Sequence, residues 1–307
     1  MNNNVDTRQC HKNIFKTRST LANIFKKEMD ELGFDTSGLK NEKDTLHAYC
    51  SYVSRLVETR PRKIHKADTF VCPEDVKNGL AWLESKIEKG ESVNAHLNGA
   101  TKKNKLDGLL FDWGIQHLHL GEKLVAPGYV ERMGNVLFAI FKPDDVYFID
   151  IRDHEGWSDK ALLDSVSRNW PVLLSCYKID GKSEYNPSSS DITQLRKKGV
   201  NAMIKLSDGN SYVSMGGGIT TAGTSMNATR TYIELIRMLN GVESQINKNV
   251  KYFSKCFRPK GRAMLNRFRF VFVCRRDGDM IRFYDVVNNN YWEQYLAIPT
   301  LKVRFGI

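Results

Sequence analysis

Residues 106–157 read LDGLLFDWGIQHLHLGEKLVAPGYVERMGNVLFAIFKPDDVYFIDIRDHEGW. Two apolar runs, Val136–Phe141 and Val146–Ile151, are joined by Lys142-Pro143-Asp144-Asp145. Proline pre-sets φ for a turn and aspartate bonds its own backbone, so the pattern predicts a β-hairpin. The hairpin delivers Arg152, Asp153 and His154 at its far end. Upstream, His117 and His119 stand two apart in an apolar setting. On a strand, side chains alternate with period two, which puts both imidazoles on one face.

Working toward the N-terminus, three amphipathic helices are expected. The first runs from a Ser19 or Thr20 cap to about Leu32, and the second covers Glu42–Glu58 ahead of Arg60-Pro61. The third spans Glu74–Lys89, with Pro73 at its first turn. The polar stretch from Lys89 to Lys105 marks a boundary. Working toward the C-terminus, Ser158 caps a helix through Asn169, and Val172–Tyr177 is expected as a short strand. Val200–Leu206 and Ser211–Met215 flank a Ser-Asp-Gly-Asn hairpin turn. The Gly/Thr-rich segment 215–230 precedes a helix over Ala228–Leu239. Its backbone N–H groups suit a phosphate, although it follows neither the GxxxxGK[ST] nor the GxGxxG pattern. A last hairpin joins Arg267–Cys274 to Met280–Val286. On its first strand Phe268, Phe270, Phe272 and Cys274 alternate with Arg267, Arg269, Val271 and Val273.

These elements predict an α+β protein in which a helical N-terminal unit precedes antiparallel sheet. The expected divisions are a helical unit over 1–95, a histidine-bearing α+β core over 96–180 and a basic β-rich part over 181–307. At 307 residues the chain is long enough to bury a sizeable core. No apolar run approaches the roughly 20 residues of a membrane helix, and residues 1–16 lack a signal peptide's apolar region. Six scattered cysteines without a CxxC pair suit a reducing compartment, so a cytoplasmic protein is expected.

The net charge of +11 is unevenly spread. Lys+Arg against Asp+Glu is 19 to 14 over residues 1–105, 7 to 12 over 106–180 and 20 to 9 over 181–307. A basic excess of this size attracts polyanions through phosphate contacts and counterion release, which makes RNA the expected partner. Arg267, Arg269, Phe270, Arg275, Arg276 and Arg282 are the candidate nucleic-acid contacts, since arginines neutralise phosphates while aromatics stack bases.

Three chemistries fit the histidine stretch. Metal-independent RNA cleavage needs a base, an acid and a cation at the phosphate, which His117 or His119, His154 and Arg152 supply. This reading requires no cofactor. A divalent metal held by His117, His119, Asp150 and His154 would instead make a phosphoesterase. In the third reading the histidines pack, and the chain binds nucleic acid or an acidic protein without catalysis.

A strand with catalytic side chains, then the hairpin NVLFAIFKPDDVYFIDI, then Arg or His past its end, resembles the RelE/YoeB-type ribonuclease toxins of the barnase–colicin–RelE group. The resemblance covers residues 109–157. It implies a small antiparallel sheet with helices on one side, action on RNA, an antitoxin or inhibitor protein as partner, and site residues His117, His119, Arg152 and His154. The chain is several times longer than those toxins, and its candidate segment is acidic where theirs is basic.

Overall fold

The computed structural model describes residues 14–97, 107–125, 128–153, 159–180, 186–198, 200–201, 203–214, 218, 220, 224–278, excluding 257–270, then 280–285 and 290–297. The chain opens with β1 (Ile14–Phe15), α1 (Thr17–Glu31), α2 (Glu42–Val53), β2 (Lys63–Lys66) and α3 (Lys77–Lys89). The middle holds α4 (Gly108–Trp113), β3 (Ile115–His119), β4 (Leu124–Val125), β5 (Tyr129–Val130), β6 (Asn135–Phe141), β7 (Asp145–Asp153) and α5 (Asp159–Asn169). There follow β8 (Lys178–Ile179), α6 (Ser189–Lys197), β9 (Met203–Lys205), β10 (Ser211–Val213), α7 (Met226–Cys256), β11 (Val271–Asp277), β12 (Met280–Asp285) and β13 (Asn290–Ala297). The class is α+β, with helices leading and sheets following.

The central sheet has the order β2-β7-β6-β3. The expected hairpin is its middle pair, and β3 joins it antiparallel with His117 opposite Phe138 and His119 opposite Val136. β2 adds in parallel beside β7. A register shift between Phe138 and Ala139 leaves Ile149 as an extra residue on β7, so that Asp150 faces Phe138 and Arg152 faces Val136. Such a bulge re-aims the strand beyond it. Here it places Asp150 and Arg152 on the same face as the two histidines.

Both faces of this sheet are buried. Leu118, Leu137, Ala139, Val146, Phe148 and Ile151 share a core with α1, α2, α3, α7, β11 and β12. Ile115, Val136, Phe138, Ile140 and Ile149 pack instead with Leu162, Leu163 and Val166 of α5 and with Leu174, Ile192, Ile204 and Tyr212. Burial on both sides explains why β6 and β7 read as nearly continuous apolar runs.

α7 meets α2 along Leu235, Leu239, Val242 and Ile246, spaced to fall on one helical stripe. β11 pairs in parallel with β1 and antiparallel with β12. Phe272, Cys274, Ile281 and Phe283 enter the core with α1. Thr20 accepts a hydrogen bond from the Cys274 amide at 2.7 Å, and Arg276 is ion-paired with Glu28.

Several expectations are corrected. Residues Pro171–Tyr177 form a 3-10 helix, not a strand. A short apolar run does not separate the two by periodicity, and Pro171 pre-organises a helical start. The second helix stops at Val53, and the third begins as a 3-10 turn over Glu74–Val76 before α3. α7 extends to Cys256, because the single Gly241 costs only about 1 kcal/mol against the stripe it interrupts. At the head of α7, the Met226 amide donates to the Gly218 carbonyl at 2.9 Å and the Ala228 amide to Ser225 Oγ at 3.3 Å. Protein groups therefore take donors that a phosphate would need.

Candidate active site

His117 and His119 stand on β3 as expected, with ring centroids 6.4 Å apart in an edge-on arrangement. Their surroundings differ. His117 is half-buried, with its side chain 17% exposed and Nδ1 3.6 Å from Asp107 Oδ2. His119 is 3% exposed.

Asp107 was not singled out by sequence. It is the N-cap of α4, and its Oδ1 accepts from the Leu110 amide at 3.1 Å. Gly114 at φ 72° then turns the chain directly into β3. Such a turn favours glycine because a Cβ is crowded in the left-handed region. The short α4 followed at once by β3 is what brings the Asp107 carboxylate to His117. A carboxylate beside Nδ1 orients an imidazole.

A second unanticipated residue, Arg55, ties this corner together. It is buried, and its guanidinium lies over the Phe111 ring of α4 at 5.0 Å. Its carbonyl accepts from Gln116 Nε2 at 2.8 Å, which fixes the residue next to His117. Burial pushes the guanidinium pKa down from its usual value, and the Asp107 carboxylate opposes that shift. Arg55 thus contacts both the helix that carries Asp107 and the strand that carries His117.

Arg152 and Asp150 lie two strands away on the same face. With neighbouring strands about 4.8 Å apart, their backbones stand roughly 10 Å from β3. Arg152 Nε donates to Asp150 Oδ2 at 2.5 Å, and the Arg152 side chain is 37% exposed. His154 lies outside the described residues. Among the described residues no three His, Cys, Asp or Glu side chains gather as a metal-holding group.

His96, also not singled out, is fully buried in the 3-10 turn Asn94–His96. Its Nδ1 is 2.8 Å from the His119 carbonyl oxygen. A carbonyl only accepts, so Nδ1 carries the proton and Nε2 is left as a lone pair. Nε2 is buried without a hydrogen-bond partner among the described residues. Desolvation pushes the His96 pKa down to about 4.

In the C-terminal sheet Arg275 and Arg282 are cross-strand partners, and Arg275 lies 3.5 Å from the Tyr284 ring centroid. Arg282 Nε is 2.9 Å from Asp277 Oδ2. Arg276 turns to the opposite face, toward Glu28. Arg267, Arg269 and Phe270 lie outside the described residues.

The chain matches no family model, and neither a curated protein nor a solved structure matches it significantly. Among the described residues no helix is long and apolar enough to cross a membrane.

Proposed function

We propose that the chain is a metal-independent endoribonuclease centred on His117. The observation that carries this reading is the half-buried His117–Asp107 pair on the sheet face that also bears Arg152. His117 takes the proton from a ribose 2′-hydroxyl, and the freed oxygen attacks the adjacent phosphorus. The bond to the 5′-oxygen breaks, leaving a 2′,3′-cyclic phosphate. His154, next after β7 in sequence, is assigned the proton that the departing 5′-oxygen takes up. Arg152 meets the non-bridging phosphate oxygens, because its planar fork matches them and Asp150 holds it in place. Asp107 stabilises the imidazolium that forms on His117. His119 has a packing role in this scheme, since burial keeps its ring from substrate.

RNA is the partner, an inhibitor protein restrains the activity, and the enzyme works in the cytoplasm. The test is cleavage of a mixed RNA pool in excess chelator. His117→Ala should lower the rate by roughly a hundred-fold or more, the usual contribution of a positioned acid or base. Unchanged cleavage in that variant removes His117 from the chemistry.

A second reading is polynucleotide binding without cleavage. It is favoured by the basic excess of residues 181–307, where Lys+Arg against Asp+Glu is 20 to 9. Salt-sensitive retention of intact RNA, weakened by Arg275→Ala, would support it.

A further inference from the structure

At the other edge of the central sheet, away from His117, three aromatic rings line up. β2 is the edge strand, and His65 is the register partner of Tyr147 on β7. Their rings are stacked, with centroids 5.0 Å apart and 16° between planes. Trp170 meets Tyr147 edge-on at 5.1 Å and 63°. All three are half-buried. Tyr147 and Trp170 pack inward on the second core, and the rest of each ring is presented at the surface.

This row is held in place by a built joint. The Asp68 amide donates to Asn169 Oδ1 and Asn169 Nδ2 donates to Asp68 Oδ1, each at 2.9 Å. Arg168 reaches the same Asp68 carboxylate, with Nε 3.1 Å from Oδ2. The end of α5 is thereby fixed to the turn after β2, and the Trp170 amide closes on Val166 at 2.8 Å. His65 Nε2 is 2.7 Å from Asp145 Oδ1, which sets the plane of the imidazole. Lys63 is exposed and lies two residues before His65, hence on the same side of β2. Arg60 and Arg168 at the rim are ion-paired with Asp144 and Asp68, which leaves the exposed Lys63 as the cation this site presents.

We propose that His65, Tyr147 and Trp170 form a stacking site for an unpaired nucleobase of single-stranded RNA, with Lys63 at the adjoining phosphate. Ring faces accept any base, because every base has a π-face, and nearby cations take the backbone charge. The exposed Lys63 ammonium beside the rings favours an anionic chain over a neutral sugar as occupant. The inference rests on the RNA reading above and extends it, since it names where substrate is held away from His117.

The test titrates the full chain, carrying His117→Ala so that substrate survives, with fluorescein-labelled single-stranded oligoadenylate. Trp170→Ala and, separately, His65→Ala are then added, each checked for a wild-type melting curve. Each should weaken binding roughly five-fold or more, the usual effect of removing one stacking ring. Trp170→Phe should restore most of the loss. Unchanged affinity in both folded variants overturns the site, as does absence of oligoadenylate binding. Equal binding of an abasic phosphodiester chain, or displacement by a malto-oligosaccharide, also overturns it. Cleavage by protein with His117 intact is a separate readout. A chain that binds through Trp170 and cuts nothing keeps this site and loses the nuclease. A chain that cuts RNA with unchanged KM in Trp170→Ala does the reverse.

Discussion

Protonation of His96 should destabilise the fold. The ring is fully buried, its Nδ1 proton is committed to the His119 carbonyl, and Nε2 faces no partner among the described residues. A second proton would place an unpaired cation in the core. Burial accordingly lowers the folded-state pKa from 6.5 to about 4. Between those two values the unfolded chain binds a proton that the folded chain refuses. Stability from this group is therefore complete above 6.5 and is lost as pH falls through the window toward about 4. At about 1.4 kcal/mol per pKa unit, the loss is about 3 kcal/mol by the acid end. That is a large part of the ~5–15 kcal/mol that holds a domain together. The assay is urea unfolding across this range for wild type and His96→Gln. Glutamine keeps a donor for the carbonyl but does not titrate, so the difference between the two curves isolates His96. The variant should be less pH-sensitive by about 3 kcal/mol. Parallel curves would refute the argument.

Other perturbations have equally specific outcomes. A Cβ built on Gly79 falls 1.7 Å from the Leu120 carbonyl oxygen, so Gly79→Ala must separate α3 from that backbone. Chemical denaturation should show a loss of more than about 2 kcal/mol, where an ordinary helix site gains from alanine. Arg276 and Glu28 form a largely buried pair between β12's neighbour strand and α1. Removing one partner as Glu28→Ala should cost about 3–5 kcal/mol, measured by thermal melting, because the remaining charge stays buried. A cost near zero would mean that water reaches the pair. Arg55→Lys should leave the fold largely intact but loosen Asp107 from His117, lowering RNA cleavage and shifting the His117 resonances in an NMR pH titration. Unmoved resonances would leave Arg55 with a packing role alone.

What was legible in the sequence was local. Lys142-Pro143-Asp144-Asp145 announces its own turn, and the apolar runs beside it define β6 and β7 without reference to any other segment. The same is true of the Ser-Asp-Gly-Asn turn between β9 and β10. The strand pairs that escaped notice join distant residues. β2 meets β7 across about eighty positions, and β1 meets β11 across more than two hundred and fifty. No turn chemistry marks such parallel pairings. Val172–Tyr177 differs from its expected strand because six apolar-rich residues fit a strand and a helical turn alike.

The site divides in the same way. His117, His119, Asp150 and Arg152 were found because they sit on the recognisable strands, and the bulge at Ile149 puts them on one face. Asp107 looked like loop in the sequence, and only the compact α4 brings it to His117. Arg55 was hidden because it lies in a different helical unit, beyond any spacing rule. Its burial shows only in the fold, where such a charge stays buried only beside compensating groups.

The measurement that tests the central proposal most directly is analysis of RNA fragment ends by mass spectrometry, in excess chelator, for wild type and folded His117→Ala. Wild type should give 2′,3′-cyclic phosphate ends, the variant should give none, and no cut should appear where the 2′-hydroxyl is replaced by hydrogen. Cleavage that survives in His117→Ala, or that continues at a 2′-deoxy position, would contradict it.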